Sequence, residues 1–180
     1  MIYESKYGTT KKYAEWIAGE LKATLLERNE VKIGQLENFD TIIYGGGLYA
    51  GGTSGISLIT KNFDQMKEKN LVVFTCGIAD PKNEDNIKGI QAGLNKCFSS
   101  EMKGKVTLFH LRGGIDYKKL GLVHKLMMAM LKMQLSKKDV ETLTSEDKEL
   151  LATYGKKIDF TDQSMIIPLV KFVQDLGVNK

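Results

Sequence analysis

Hydroxyls, a glycine and the start of a helical pattern fall within six residues at Ser5, Lys6, Tyr7, Gly8, Thr9 and Thr10. A turn of this kind holds an anion: backbone N–H groups and the helix dipole point at it, and the hydroxyls add donors. Gly8 permits a positive φ or a close backbone approach. A plain Ser/Thr cap with a turn glycine has the same residues, so this segment alone leaves both readings open. Further on, Gly45-Gly46-Gly47-Leu48-Tyr49-Ala50-Gly51-Gly52-Thr53 carries five glycines in eight residues (45–52), more than a turn requires. Bare backbone lets a flat ligand lie close, with Tyr49 and Leu48 as a stacking face and an edge contact; a surface loop without a ligand is the alternative. A third segment, Thr75-Cys76-Gly77-Ile78-Ala79-Asp80-Pro81, reads either as a second wall for the same ligand or as a simple strand-to-helix connection.

These three segments need a scaffold that brings them together. Apolar, β-branched runs at Ile2-Tyr3, 31–33, 41–44, 71–76 and 106–111 read as five strands. Helical periodicity separates them: Tyr13, Ile17, Leu21 and Leu25; then 56–66; then Ile87, Ile90, Leu94 and Phe98; with a last helix over 166–176 that either starts near Pro168 or kinks there. Near-continuous apolar strands alternating with helices predict a parallel sheet covered on both faces. In such a fold the ligand lies beyond the carboxyl ends of the strands. All three glycine-bearing segments directly follow strands there, and together they describe a site for a planar ring bearing one phosphate. Gly45, Gly47 and Ala50 also fit G-x-G-x-x-A, but that fingerprint belongs after the first strand and before a helix, so it is set aside.

With these residues the chain resembles the flavodoxin family. Ser5 to Thr10 is similar to its hydroxyl-rich phosphate loop, and Gly45 to Gly52 and Thr75 to Asp80 are similar to its two isoalloxazine loops. The resemblance implies a flavodoxin-like three-layer α/β sandwich, a five-stranded parallel sheet in the order 2-1-3-4-5, and FMN as cofactor. It implies cofactor contacts at Ser5, Lys6, Tyr7, Gly8, Thr9 and Thr10, at Gly46, Gly47, Leu48, Tyr49, Ala50 and Gly51, and at Thr75, Cys76, Gly77, Ile78 and Ala79. It names no catalytic side chain. Leu111-Arg112, Asp116-Tyr117 and the run 125–133 resemble the menaquinone-dependent protoporphyrinogen dehydrogenase type within that family. That resemblance implies an FMN-dependent oxidoreductase with a lipophilic substrate or quinone; the alternative is a non-enzymatic electron carrier between protein partners.

The 180 residues are enough for one domain with a large core, and 42% hydrophobic with 27% charged residues excludes disordered and fibrous classes. The net charge of +4 is unevenly placed. Lys103 to Lys138 holds nine Lys/Arg and one acid, so it carries 9 − 1 = +8 and the remainder carries 4 − 8 = −4. Residues 113–162 read as a basic, Met-rich helical insertion in a single domain spanning 1–180, with helices over 120–135 and 145–154. The first of these has a broad apolar arc beside Lys118, Lys125 and Lys132. Its readings are a helix packed on the domain with solvated lysines, a membrane-surface or lipophilic-substrate contact, or a protein partner; nucleic acid is not expected. Cys76 and Cys97 fit no metal spacing and read as buried thiols. No metal site is expected. His110 and His124 read as structural, and Trp16 as core or rim. Residues 1–4 lack the basic and apolar regions of a signal peptide, so a cytoplasmic protein, at most membrane-peripheral at the inner face, is expected.

Overall fold

The computed structural model describes residues 1–49 and 52–178. The chain divides into two compact units, residues 1–113 with 161–180 and residues 114–160.

The first unit is built on a parallel sheet. Its strands are β1 (Ile2–Glu4), β2 (Leu26–Glu27), β3 (Thr41–Tyr49), with a short antiparallel return β4 (Gly52–Thr53), β5 (Asn70–Gly77) and β6 (Val106–Arg112). The order is β2-β1-β3-β5-β6, with β4 paired only to β3. Setting β4 aside, this is the order 2-1-3-4-5 that the resemblance implies. The helices are α1 (Thr9–Leu21), α2 (Ser57–Lys61), α3 (Phe63–Met66), α4 (Glu84–Asn95), α5 (Ser100–Lys105) and, after the second unit, α8 (Ile167–Val178). Side chains alternate across each strand, so the sheet feeds two cores. Ile2, Ile42, Tyr44, Leu71 and Val73 pack with α2 to α5, through Ile59, Phe63, Met66, Leu94 and Met102. Tyr3, Ile43, Val72, Phe74 and Cys76 pack with α1, α8 and the 3-10 turn before α8, through Tyr13, Ile17, Leu169 and Ile166. Because both faces are covered, the central strands read as unbroken apolar runs.

Four details differ from the sequence reading. The second strand is Leu26–Glu27, whose Leu26 pairs with Ile2, not 31–33; Val31 and Ile33 instead pack on the core beside 3-10 turns. The apolar period of α1 does not extend to Leu25, because Lys22 turns the chain at φ 50°. The helix expected over 56–66 breaks at Asn62, whose side-chain amide donates to the Leu58 carbonyl (2.8 Å). Gly45, Gly46 and Gly47 are not loop residues: β3 continues through them to Tyr49. Pro168 lies in the first turn of α8, where its missing N–H costs nothing.

The second unit pairs β7 (Gly114–Asp116) antiparallel with β8 (Lys157–Asp159) and contains α6 (Leu122–Leu135) and α7 (Ser145–Thr153). Tyr117, Leu120, Leu135 and Leu143 are its buried apolar residues among those described. The Tyr117 and Tyr154 rings stack tilted at 4.9 Å, and Lys132 Nζ lies 4.5 Å over Tyr154. Thr144 caps α7 reciprocally with Asp147.

Candidate site at the carboxyl ends of the strands

Register brings the three candidate segments together. Glu4 pairs with Gly46 and Gly46 with Thr75, so the chain leaves β1, β3 and β5 at the same end of the sheet.

Residues 5–8 form the first loop, and α1 follows at once. Gly8 is the N-cap at φ 98°, a left-handed conformation that costs other residues energy. The Gly8 N–H donates to Ser5 Oγ (3.1 Å). No side chain caps the helix, so its first-turn N–H groups keep their donor capacity for a ligand. Thr9 Oγ1 accepts from the Cys76 thiol (3.6 Å), Lys6 is exposed, and Tyr7 is half-buried. Thr10 is 1% exposed.

In the second segment, the glycines first serve the protein's own packing. A Cβ on Gly45 would overlap the Phe74 ring, one on Gly46 would stand 2.7 Å from the Ser54 carbonyl, and one on Gly47 2.8 Å from the Tyr49 ring. Leu48 and Tyr49 pair antiparallel with Thr53 and Gly52 of β4. Tyr49 leans back over the first loop: its ring meets Tyr7 edge-on at 5.7 Å, and its hydroxyl oxygen accepts a backbone hydrogen bond from Lys6. Burial is the main cause that pushes its phenol up to about 12. Ala50 and Gly51, also expected at the site, lie outside the described residues.

The third segment begins inside the strand. Thr75 and Cys76 are β5 residues with buried side chains. Thr75 is fully buried and shares a 2.8 Å hydrogen bond with His110 Nδ1. Cys76 joins the opposite core. Only Gly77, Ile78 and Ala79 emerge at the strand end, and a clamp holds them: Arg112 Nε donates to the Ile78 carbonyl (3.2 Å), Arg112 Nη1 pairs with Asp80 (3.5 Å), and the Gly113 N–H donates to the Gly77 carbonyl (2.6 Å).

Two groups of residues at this end were not foreseen. Glu4 accepts from the Ser54 hydroxyl and pairs with Arg28 (3.2 Å). Arg28 also donates to the Gly55 carbonyl (3.3 Å) and Ser57 Oγ (3.2 Å), and the Tyr44 hydroxyl donates to the Ser54 carbonyl (2.8 Å). This network pins the return from β4 to the end of β1. Glu4, a charge closing an apolar strand, was a readable signal; Arg28, 24 positions away, offered none. The second group centres on Tyr13, whose hydroxyl donates to the Arg112 carbonyl (2.7 Å) and accepts from the Asp162 N–H (3.1 Å). His110 is only half satisfied: its buried Nε2 has no partner among the described residues, and burial lowers its pKa. Cys97 is exposed, not buried. Trp16 sits at the rim of the core, edge-on to Tyr13 at 5.5 Å. No cluster of three or more His, Cys, Asp or Glu that could hold a metal occurs among the described residues.

The first loop fits a phosphate monoester by its donor set: helix N-terminal N–H groups, the Ser5 and Thr9 hydroxyls, and the Lys6 ammonium.

A family model described as a flavodoxin domain matches residues 1–142. No curated protein sequence matches significantly. Among solved structures, the chain is similar to a flavodoxin, WrbA-like protein from Agrobacterium tumefaciens (27% identity, 52% of this chain and 67% of that one, TM-score 0.40). It is similar to an oxidised flavodoxin from Bacillus cereus (20%, 62% and 83%, 0.37) and to a flavoprotein in complex with FMN from Lactobacillus acidophilus (19%, 62% and 89%, 0.40). At these TM-scores the structural likenesses add no weight to the family match.

Proposed function

The chain belongs to the flavodoxin-domain family, and from that premise we propose that it binds FMN non-covalently and works as an FMN-dependent oxidoreductase. The observation that carries this reading is the uncapped start of α1 behind Ser5 and Gly8, set beside the ends of β3 and β5. Ser5, Thr9, Lys6 and the first-turn N–H groups would hold the phosphate. Tyr7, Leu48 and Tyr49, with Gly77 to Ala79 held by Arg112, would border the ring. FMN, when bound, supplies the electron-transfer chemistry, and the protein supplies orientation and electrostatics. Tyr49 stays protonated through neutral pH, because its phenol is pushed up to about 12, so it presents the ring an uncharged edge.

For the reaction, we propose the protoporphyrinogen dehydrogenase (quinone) type, in which a lipophilic donor is oxidised and a quinone reduced. The support is the lysine-rich, Met-rich segment, which a small carrier does not need. The family itself and the −4 balance outside residues 103–138 favour the second reading, an electron carrier that docks protein partners.

The cofactor test separates phosphate from ring. FMN titrated into the protein should lose its fluorescence. In a Ser5→Ala/Thr9→Ala variant, FMN affinity should drop roughly tenfold or more while riboflavin affinity holds, since hydrogen bonds to charged groups contribute about 1.5–3 kcal/mol each. Protein that leaves FMN fluorescence unchanged would sink the reading. With FMN bound, anaerobic bleaching by protoporphyrinogen and recovery with menaquinone support the enzyme. Bleaching only through a reductase protein supports the carrier.

A further inference from the structure

The helix α6 presents its apolar side to solvent. At 3.6 residues per turn, Leu122, Met133, Leu126, Met130, Val123 and Met127 fall within an arc of about 140°. They are exposed by 84, 54, 62, 50, 69 and 39% respectively. The less exposed residues of the helix, His124, Met128 and Leu135, cluster on a different side, about 200–240° around from Leu122. A helix that packed its apolar stripe and solvated its lysines would show the reverse. A contiguous exposed apolar face rimmed by charge marks an interaction surface.

Charge selects the occupant. From Tyr117 to Lys138 the chain carries six lysines and no acid. Lys118 and Lys119 precede α6, Lys137 and Lys138 follow it, and Lys125 and Lys132 run along one flank of the arc. A second copy laid face to face would bring like charges together. An anionic surface would instead take the apolar arc while the lysine stems reach along it to the headgroups. No helix among the described residues is long and apolar enough to cross a membrane, and α6 at 14 residues is of a size to lie in the interface plane. We propose that α6 docks the protein on anionic lipid bilayers, with its Leu/Met arc in the headgroup–acyl boundary and Lys118, Lys119 and Lys125 on the lipid phosphates. The proposal holds whether or not FMN binds.

Flotation of the full chain with vesicles tests it. Vesicles of equal parts phosphatidylglycerol and phosphatidylcholine should carry the protein to the top of the gradient at about 0.1 M salt, and far less at about 1 M, where screening shortens the Debye length to about 3 Å. Pure phosphatidylcholine should carry little. Leu126→Ser/Met130→Ser should weaken binding tenfold or more. Lys118→Gln, Lys119→Gln and Lys125→Gln should each weaken it by about fivefold, the effect of one basic residue near an anionic surface. All of these positions are exposed, and unchanged circular dichroism verifies the fold. A second measurement does not depend on loss of binding: Leu126→Trp should add an emission component that shifts to the blue with anionic vesicles only. Four results would each overturn the proposal: no flotation, equal flotation with both lipids, flotation indifferent to the α6 variants, or a concentration-dependent dimer that Leu126→Ser/Met130→Ser abolishes.

Discussion

At Gly45, replacement by Ala drives a methyl into the Phe74 ring, which is fully buried between β5 and α1. Overpacking of that kind costs about 1–3 kcal/mol. At exposed Gly89 in α4 the same methyl meets nothing within 4 Å and raises helix propensity, a gain of about 0.5–1 kcal/mol. Urea midpoints of Gly45→Ala and Gly89→Ala should move in opposite directions, and Phe74→Leu should recover part of the first loss. His110 sets a pH dependence. Burial lowers its pKa in the folded protein below the ordinary 6.5, so the unfolded chain takes up the proton first. Its contribution to stability is therefore full above about pH 6.5 and is lost as pH falls through the folded value. Urea midpoints measured between about pH 7.5 and 5.5 should fall more steeply in the native protein than in His110→Gln, which stays neutral throughout.

The helix starts of the two units show different uses of the same local chemistry. Gly8 starts α1 with no side chain on its first-turn N–H groups, which keeps them for a ligand. Thr144 starts α7 with a reciprocal cap: its Oγ1 accepts from the Asp147 N–H (3.1 Å), and its N–H donates to Asp147 (3.2 Å). That helix therefore gains its stability locally. Thr144→Ala should cost about 1 kcal/mol of helix stability, seen as faster amide exchange over 147–153, while Thr144→Ser should exchange like the native protein. Equal exchange in the Ala variant would show that packing, not the cap, holds α7.

Across the whole molecule, the alternation of short apolar runs with helical periods was enough to read a parallel sheet, because parallel strands covered on both faces leave that pattern in any chain; the order of its strands came from the family resemblance. The glycine turn that opens α1 was legible because its residues are contiguous. The glycine run was legible only in part. Five glycines announced close approach, but whether ligand or protein fills the space depends on Phe74, Ser54 and Tyr49, and folding places those side chains there. Arg28 and Arg112 reach their partners from strand ends far away in sequence, and no local spacing predicts that. The +8 segment was plain in the sequence, and so was the apolar width of its helix. Which side of α6 faces water was not, since a wide apolar arc suits a packed helix and an interfacial one equally well. What the sequence by itself determined was therefore what short-range order encodes: the element types, a parallel sheet and a glycine turn opening α1. Only the tertiary structure decided which glycines are filled by the protein's own side chains, which strand residues have buried side chains, and that the Leu/Met arc of α6 lies open, because burial is a property of neighbours brought together from distant parts of the chain.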